Sequence, residues 1–298
     1  MAEKLIAIMG TNASGKSGLG VALAKRFGGE IISADSRQVY RGLDLGSGKI
    51  TPEEMQGVPH HLLDVCAPGD FFSMADFQRL AYAAIDDILA RGKTPFLVGG
   101  TGLYVDAVTD GYELSGRAPD LALRERLETY DTPALYAMLK EKLPDTDIDP
   151  RNRNRVMRAI ERLEADDYHP GKRSPRYETL KIGVTWPREV LKQRIDERLE
   201  RRLGQGMLDE VQGLLDDGVT PEFLDKLGLE YRYISRYLLH ELTYDQMLDE
   251  LGRAIKRFAK RQMTWFRREE GLHWLDMSGD PVGQASALID AFLRGETA

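Results

Sequence analysis

The chain has 298 residues, 42% of them apolar and 30% charged, with a formal net charge of −7. That is enough to bury a sizeable core in one large α/β unit or two unequal ones. No signal-peptide core and no apolar segment of bilayer-spanning length is present, so a cytoplasmic protein with no membrane partner is expected; Cys66, the only cysteine, excludes an intrachain disulfide and is expected to pack as a small apolar side chain.

Lys4 to Met9 is predicted to be a strand and Ser17 to Phe27 a helix. Between them Gly10-Thr11-Asn12-Ala13-Ser14-Gly15-Lys16-Ser17 fits the phosphate-loop pattern G-x-x-x-x-G-K-[ST] in its required strand–loop–helix setting. Glycines let backbone N–H groups converge on phosphate oxygens, the helix adds its positive end, Lys16 adds a mobile charge and Ser17 is placed to ligate Mg2+. A second strand is predicted from Glu30 to Ser33 and a third from His61 to Val65, followed by a helix from Ser73 to Ala90. Thr94 to Val98 reads as a buried strand running into the turn Gly99-Gly100-Thr101-Gly102. From Tyr112 to Glu178 the chain turns to short charged helices broken by Pro119, Pro133, Pro144, Pro150, Pro170 and Pro175, as in an inserted helical subdomain. Leu180 to Thr185 is a strand returning to the sheet; helices follow over Pro187 to Leu203, Met207 to Leu215 and Tyr244 to Arg268, then an edge strand at His273 to Leu275 and a helix from Pro281 to Leu293. The fold class is therefore α/β: a P-loop parallel sheet flanked by helices, residues 1–111 and 179–298, with an inserted helical subdomain at 112–178.

Asp35 follows the second strand, which in a parallel sheet puts it on the same edge as the phosphate loop. A carboxylate there takes a proton from a nucleophile, caps a helix, or holds Mg2+ through water, and the residues alone leave these open. Thr101 has its hydroxyl to offer a phosphate oxygen, or its glycines serve only the turn. Adjacent His60 and His61 point to opposite faces of a strand, which disfavours a shared zinc ion and favours a structural role.

Two segments are basic despite the net charge: Arg151 through Arg153, Arg155, Arg158 and Arg162 to Lys172, Arg173 and Arg176, and Arg253 through Lys256, Arg257, Lys260 and Arg261 to Arg267 and Arg268. The second is interleaved with Phe258, Trp265 and Phe266, as backbone contact plus base stacking would require, against the alternative of a solvated helix face.

Ala13-Ser14-Gly15-Lys16-Ser17, Asp35-Ser36-Arg37-Gln38-Val39-Tyr40, Val58-Pro59-His60-His61-Leu62-Leu63-Asp64, Gly99-Gly100-Thr101-Gly102-Leu103-Tyr104, Asn154-Arg155 with Arg158-Ala159-Ile160-Glu161, and Lys260-Arg261-Gln262-Met263-Thr264-Trp265-Phe266-Arg267 stand in one order along nearly the whole chain. Together they resemble the tRNA dimethylallyltransferases. The resemblance implies transfer of a dimethylallyl group from dimethylallyl diphosphate to N6 of an adenosine beside the anticodon (position 37) of tRNA, with Mg2+ and release of diphosphate. It implies that Gly10 to Ser17 bind the diphosphate, that Asp35 is the base, and that Asp35, Ser36, Arg37 and Gln38 touch the target nucleotide. Thr101 would lie beside the leaving group, Arg124 would act just beyond the glycine turn, and Arg194 with Arg198, one helical turn apart, would face the diphosphate or else form a solvated face. Asn154, Arg155, Val156, Met157 and Arg158, with Lys260, Arg261, Gln262, Met263, Thr264, Trp265, Phe266 and Arg267, would grip the anticodon stem-loop of tRNA, the protein acting as a monomer.

Three stretches depart from the family's wording. Thr11 and Asn12 replace proline and threonine, Gly46-Ser47-Gly48-Lys49-Ile50 replaces a threonine-alanine-lysine-proline pattern and promises a more flexible loop, and Leu227-Gly228-Leu229-Glu230-Tyr231-Arg232 replaces alanine-isoleucine-glycine-tyrosine. The first two bear on which prenyl donor is preferred. A small-molecule kinase shares the P-loop but leaves the Lys260 to Arg267 segment unexplained, an AMP isopentenyltransferase needs no insertion, and an RNA-binding module needs no phosphate loop aligned with Asp35.

Overall fold

The computed structural model describes residues 3–114, 120–168 and 173–296. Pro119, Pro170 and Lys172 of the insertion lie outside the described residues. Inside the sheet lies the run Leu5-Ile6-Ala7-Ile8-Met9, apolar on both faces as a strand covered from both sides must be. It forms β1 (Lys4–Gly10), followed by α1 (Lys16–Arg26), β2 (Glu30–Ala34), α2 (Pro52–Met55), β3 (His60–His61), α3 (Met74–Ala90), β4 (Pro95–Gly99) and α4 (Gly102–Thr109). Then come α5 (Leu121–Glu128), α6 (Thr132–Lys142), α7 (Arg153–Glu164), β5 (Glu178–Thr185), α8 (Arg188–Gly204), α9 (Met207–Asp216), α10 (Pro221–Leu227), α11 (Leu229–Leu238), α12 (Tyr244–Phe266), β6 (Leu272–Asp276) and α13 (Pro281–Arg294).

The described strands form one parallel sheet in the order β3-β2-β4-β1-β5-β6. Alternation along β1 divides the core. Ile6 and Ile8 pack with Leu19 and Leu23 of α1 and Ile289 of α13, whereas Leu5, Ala7 and Met9 pack with Phe77 and Ile85 of α3, Val105 of α4 and Phe266 of α12. A further cluster unites α8, α9, α11 and α12 with Val39, Tyr40 and Leu43, and buries Cys66 as expected.

The third strand is shorter than predicted. Leu62 and Asp64 take φ of 63° and 58°, which turns the chain out of extended conformation after His61. Sequence reading also passed over α10 and α11, although Thr220 caps α10 and Pro221 opens it, a readable start signal.

Two compact units emerge, 1–111 with 175–298, and 112–174. The second has its own core of Leu127, Leu135, Leu139, Val156 and Ile160, and Tyr112 pairs antiparallel with Arg173 where its chain leaves and returns.

The stretch from Asp44 to Gly48 in the first unit carries little regular structure, yet it is held firmly. The Glu210 carboxylate on α9 accepts from the backbone N–H groups of Asp44 (3.0 Å), Leu45 (2.6 Å) and Gly46 (2.9 Å) and from the hydroxyl of Tyr231 (2.9 Å). Burial, with the carboxylate as its acceptor, pushes the Tyr231 phenol well up. The Gly46 to Ile50 stretch, expected to be flexible, is thus tied at its start by a side chain from a distant helix, and further on Ser47 donates to Leu43 O (2.6 Å) and Lys49 to Tyr40 O (3.0 Å). Glu210→Ala leaves the donors to Glu210 without an acceptor and should cost about 3 kcal/mol. A lower urea midpoint at unchanged m-value checks this; an unmoved midpoint would mean that the loop is held elsewhere.

Candidate active site

Because the strands are parallel, the segments leaving β2, β4 and β1 emerge at one edge of three neighbouring strands. They are the turn that begins at Asp35, the Gly100-Thr101 turn, and the phosphate loop. The loop closes through Gly15 at φ 88°, a left-handed conformation that glycine adopts without strain, directly ahead of α1. Its carbonyls are tied back: Arg194 Nε donates to Ala13 O (3.0 Å), Trp186 Nε1 to Ser14 O (2.9 Å) and Lys16 Nζ to Thr11 O (3.2 Å). The first N–H groups of α1 have no intrahelical acceptor, and Asn12 Oδ1 and Ser14 Oγ are buried with no protein partner. An oxyanion ligand would accept from those N–H groups and from the Ser14 hydroxyl, whereas Asn12 Oδ1, itself an acceptor, calls for a donor.

The loop opens on a cavity of about 490 Å³ also lined by Asp35, Arg37, Gln38, residues 44–51, Thr101, Phe258 and the α8 face. Arg194 and Arg198 both line it, as their spacing suggested, and Arg202 joins them one turn further on. That residue was missed, although the i, i+4, i+8 spacing carried the signal. Burial and then Arg198 push the Lys16 ammonium down to about 8, with Arg202 adding to the effect and Asp35 opposing it. Arg198 is pushed down to about 10, by burial and then by Arg202. The Glu230 carboxylate stands 4.0 Å from Arg202, part compensation for a crowd of cations. Gly48 borders that crowd. Its φ is 66°, its carbonyl accepts from Gln38 Nε2 (3.1 Å) and Arg198 (3.4 Å), and a Cβ there would fall 1.5 Å from an Arg202 nitrogen.

Asp35 Oδ1 accepts from the N–H of Arg37 (2.9 Å), which shapes the turn after β2. Thr101 fixes the same turn from β4: its Oγ1 accepts from Ser36 N–H (3.1 Å) and its own N–H donates to Ala34 O (3.2 Å). Asp35, Ser17 and Lys16 line a common wall. Among the described residues no group of three or more His, Cys, Asp or Glu is arranged to hold a metal. A serine hydroxyl with a neighbouring carboxylate and a phosphate-bearing ligand fits Mg2+, which keeps several waters and takes few protein ligands. His61 Nε2 bonds Glu30 (2.8 Å) and His60 Nδ1 bonds Val58 O (2.8 Å), and His60 borders a small cavity together with Lys16, Ser17 and Asp35.

The basic segments need correction residue by residue. On α12, Lys260, Arg261, Thr264 and Arg267 are exposed, Met263 is half-buried, Gln262 is buried and Phe266 lies wholly in the core. Trp265 is half-buried and donates Nε1–H to Asp106 (3.0 Å). Neither Phe266 nor Gln262 presents a surface to RNA. Phe258 is half-buried and lines the cavity, with the Arg37 and Arg261 guanidinium groups 5.4 Å and 5.6 Å from its ring. On α7, Asn154 and Arg155 are exposed, Arg158 is half-buried, and Val156 and Met157 are core. A contiguous run on a helix must turn part of itself inward. Arg124, in the second unit, pairs with buried Glu161, which Arg158 also bonds (2.8 Å).

A family model described as IPP transferase matches residues 38–269, and one described as isopentenyl transferase matches residues 3–69. The chain is 46% identical over 295 residues to tRNA dimethylallyltransferase 2 of Shewanella sediminis, covering 96% of this chain and 97% of the relative. It is 41% identical over 305 residues to the tRNA dimethylallyltransferase of Geobacillus thermodenitrificans, covering 98% and 96%. Among solved structures, the tRNA isopentenylpyrophosphate transferase of Bacillus halodurans superposes with a TM-score of 0.74 at 41% identity, over 98% of this chain and 96% of that one. A eukaryotic dimethylallyltransferase acting on tRNA superposes at 0.84 and 26% identity, over 99% and 81%.

The depressed Lys16 gives the site a pH signature. Below about pH 8 the ammonium is charged and attracts an anion; above it, binding must first take up a proton. Lys16→Arg stays charged throughout and cancels the ligand's own ionisation. The ratio of wild-type to Lys16→Arg affinity for inorganic diphosphate, by calorimetry, should be flat at low pH and fall by up to about tenfold per unit above pH 8. A ratio flat to pH 10 would contradict this placement of Lys16.

Proposed function

The chain belongs to the IPP transferase family, the tRNA dimethylallyltransferases, and we propose that it transfers a dimethylallyl group from dimethylallyl diphosphate to N6 of adenosine 37, beside the anticodon of tRNA. The observation that carries the proposal is the convergence, on one sheet edge, of the phosphate loop with Asp35 and a wall of buried cations.

The exocyclic amine of adenine is a poor nucleophile because its lone pair is conjugated with the ring, so its proton must leave as the new bond forms. Asp35 takes that proton. As N6 bonds to the allylic carbon, the carbon–oxygen bond to diphosphate breaks and its electron pair stays on the diphosphate. The loop N–H groups, Lys16, Arg194, Arg198 and Arg202 meet that charge with donors already in place. Ser17 would hold Mg2+ together with the diphosphate oxygens, and the ion would neutralise charge on the leaving group. Thr101 acts through the turn it fixes, by holding the Asp35 segment against the cradle.

The exposed residues Lys260, Arg261, Thr264 and Arg267 offer a phosphate-gripping face to the anticodon stem-loop, and Asn154 and Arg155 offer another in the second unit. The target base must leave its stack to reach Asp35. This assignment has the protein working as a monomer in the cytoplasm, where its tRNA substrate is; among the described residues no helix is long and apolar enough to cross a membrane. A kinase would use the same loop, but β4 runs into Gly99 and Gly100 and supplies no magnesium-binding aspartate.

Asp35→Asn keeps the turn's acceptor oxygen but removes the base. Prenyl transfer should fall by about 10² or more, while tRNA retention in filter binding stays at the wild-type level. Full transfer activity in this variant would take Asp35 out of the mechanism.

A further inference from the structure

Gln262 stands within the basic Lys260 to Arg267 segment, yet it faces inward and is only 8% exposed. Its Oε1 accepts from the N–H of Asn12 in the phosphate loop (2.9 Å), and its Nε2 donates to the carbonyl of Gly100 in the turn after β4 (2.7 Å). The partners fix the amide's orientation, since an N–H needs the oxygen and a carbonyl needs the nitrogen. The turn it holds carries Thr101, whose hydroxyl accepts from Ser36 N–H in the segment that begins at Asp35 and whose own N–H donates to Ala34 O just before it. One side chain therefore spans the gap between the leaving-group cradle and the support of the base.

We propose that Gln262 is a positioning residue that sets the spacing between the diphosphate cradle and Asp35, rather than a tRNA contact. The inference rests on the function proposed above. Only glutamine satisfies both ends: glutamate cannot donate to Gly100 O, and asparagine is one methylene short. The Asn12 N–H is also withdrawn from the ligand, which leaves the later N–H groups of the loop to meet the phosphates.

The test uses the full chain with Mg2+, dimethylallyl diphosphate and unmodified tRNA. Turnover is scored per mole of protein that binds tRNA, so that partial unfolding does not count as lost catalysis. In Gln262→Ala and Gln262→Glu, kcat at saturation should fall by about 10²-fold, because misplacement by about 1 Å has that effect. The tRNA dissociation constant and the KM for tRNA should stay within about twofold, as expected when no phosphate contact to tRNA is lost. Gln262→Met, which keeps length and volume but neither hydrogen bond, should repeat the loss and serves if the other variants do not fold. An unchanged kcat, or weaker tRNA binding with kcat retained, would overturn the proposal. If the wild-type protein does not prenylate tRNA, the underlying function fails. The strut is then judged on inorganic diphosphate alone, whose affinity should drop several-fold in Gln262→Ala and stay at the wild-type level if Gln262 braces nothing.

Discussion

Lys16, Arg198 and Arg202 share one buried wall, with the carboxylates of Asp35 and Glu230 as the anionic groups acting on them. Burial first, and then repulsion from Arg198 and Arg202, push the Lys16 ammonium down. Such a group is stable only where the surrounding fold imposes it and profitable only where an anion relieves it. Much of the first unit serves that arrangement. The α8 row points its arginines at the loop, Trp186 and Arg194 tie back the loop's carbonyls, and Glu210 pins the segment whose Gly48 borders Arg198 and Arg202.

A cradle of this kind need not hydrolyse a nucleotide. In nucleotide hydrolysis the enzyme must orient water and hold the metal through a strand aspartate. In the proposed reaction the cradle would receive charge that develops on a departing diphosphate, and the reacting nucleophile would be brought by a large partner. Under that proposal the base would have to stand at a fixed distance from the cradle, which the order β2-β4-β1 provides: Asp35 leaves one strand, Thr101 the next and the loop the third. Sheet topology thus converts three segments far apart in sequence into one site.

Much of this is legible in the residues. The β1–loop–α1 unit is local, its pattern short and its glycine geometry obligatory, so sequence determines it directly. Asp35 is legible because strand ends in a parallel sheet share an edge, and Arg194 with Arg198 because helical spacing puts them on one face. Arg202 and the start of α10 carried local signals that went unread, but other features depend on partners distant in the chain. Glu210 is an ordinary acidic residue of an amphipathic helix until the loop from Asp44 to Gly46 is folded onto it. Val156, Met157, Gln262 and Phe266 lie inside motifs that look continuous, and only packing decides which residues turn inward. The third strand stopped early because Leu62 and Asp64 adopt left-handed backbone, which no periodicity announces.

The central claim is that this cavity hands a prenyl group to tRNA, and product identification tests it most directly. The purified protein with Mg2+ and radiolabelled dimethylallyl diphosphate is given unmodified tRNA or, separately, AMP, and the products are digested to nucleosides. Label on N6 of adenosine from tRNA, with none on AMP, is the predicted result. Label on AMP alone, or none on either acceptor alongside phosphoryl transfer from ATP, would contradict the account.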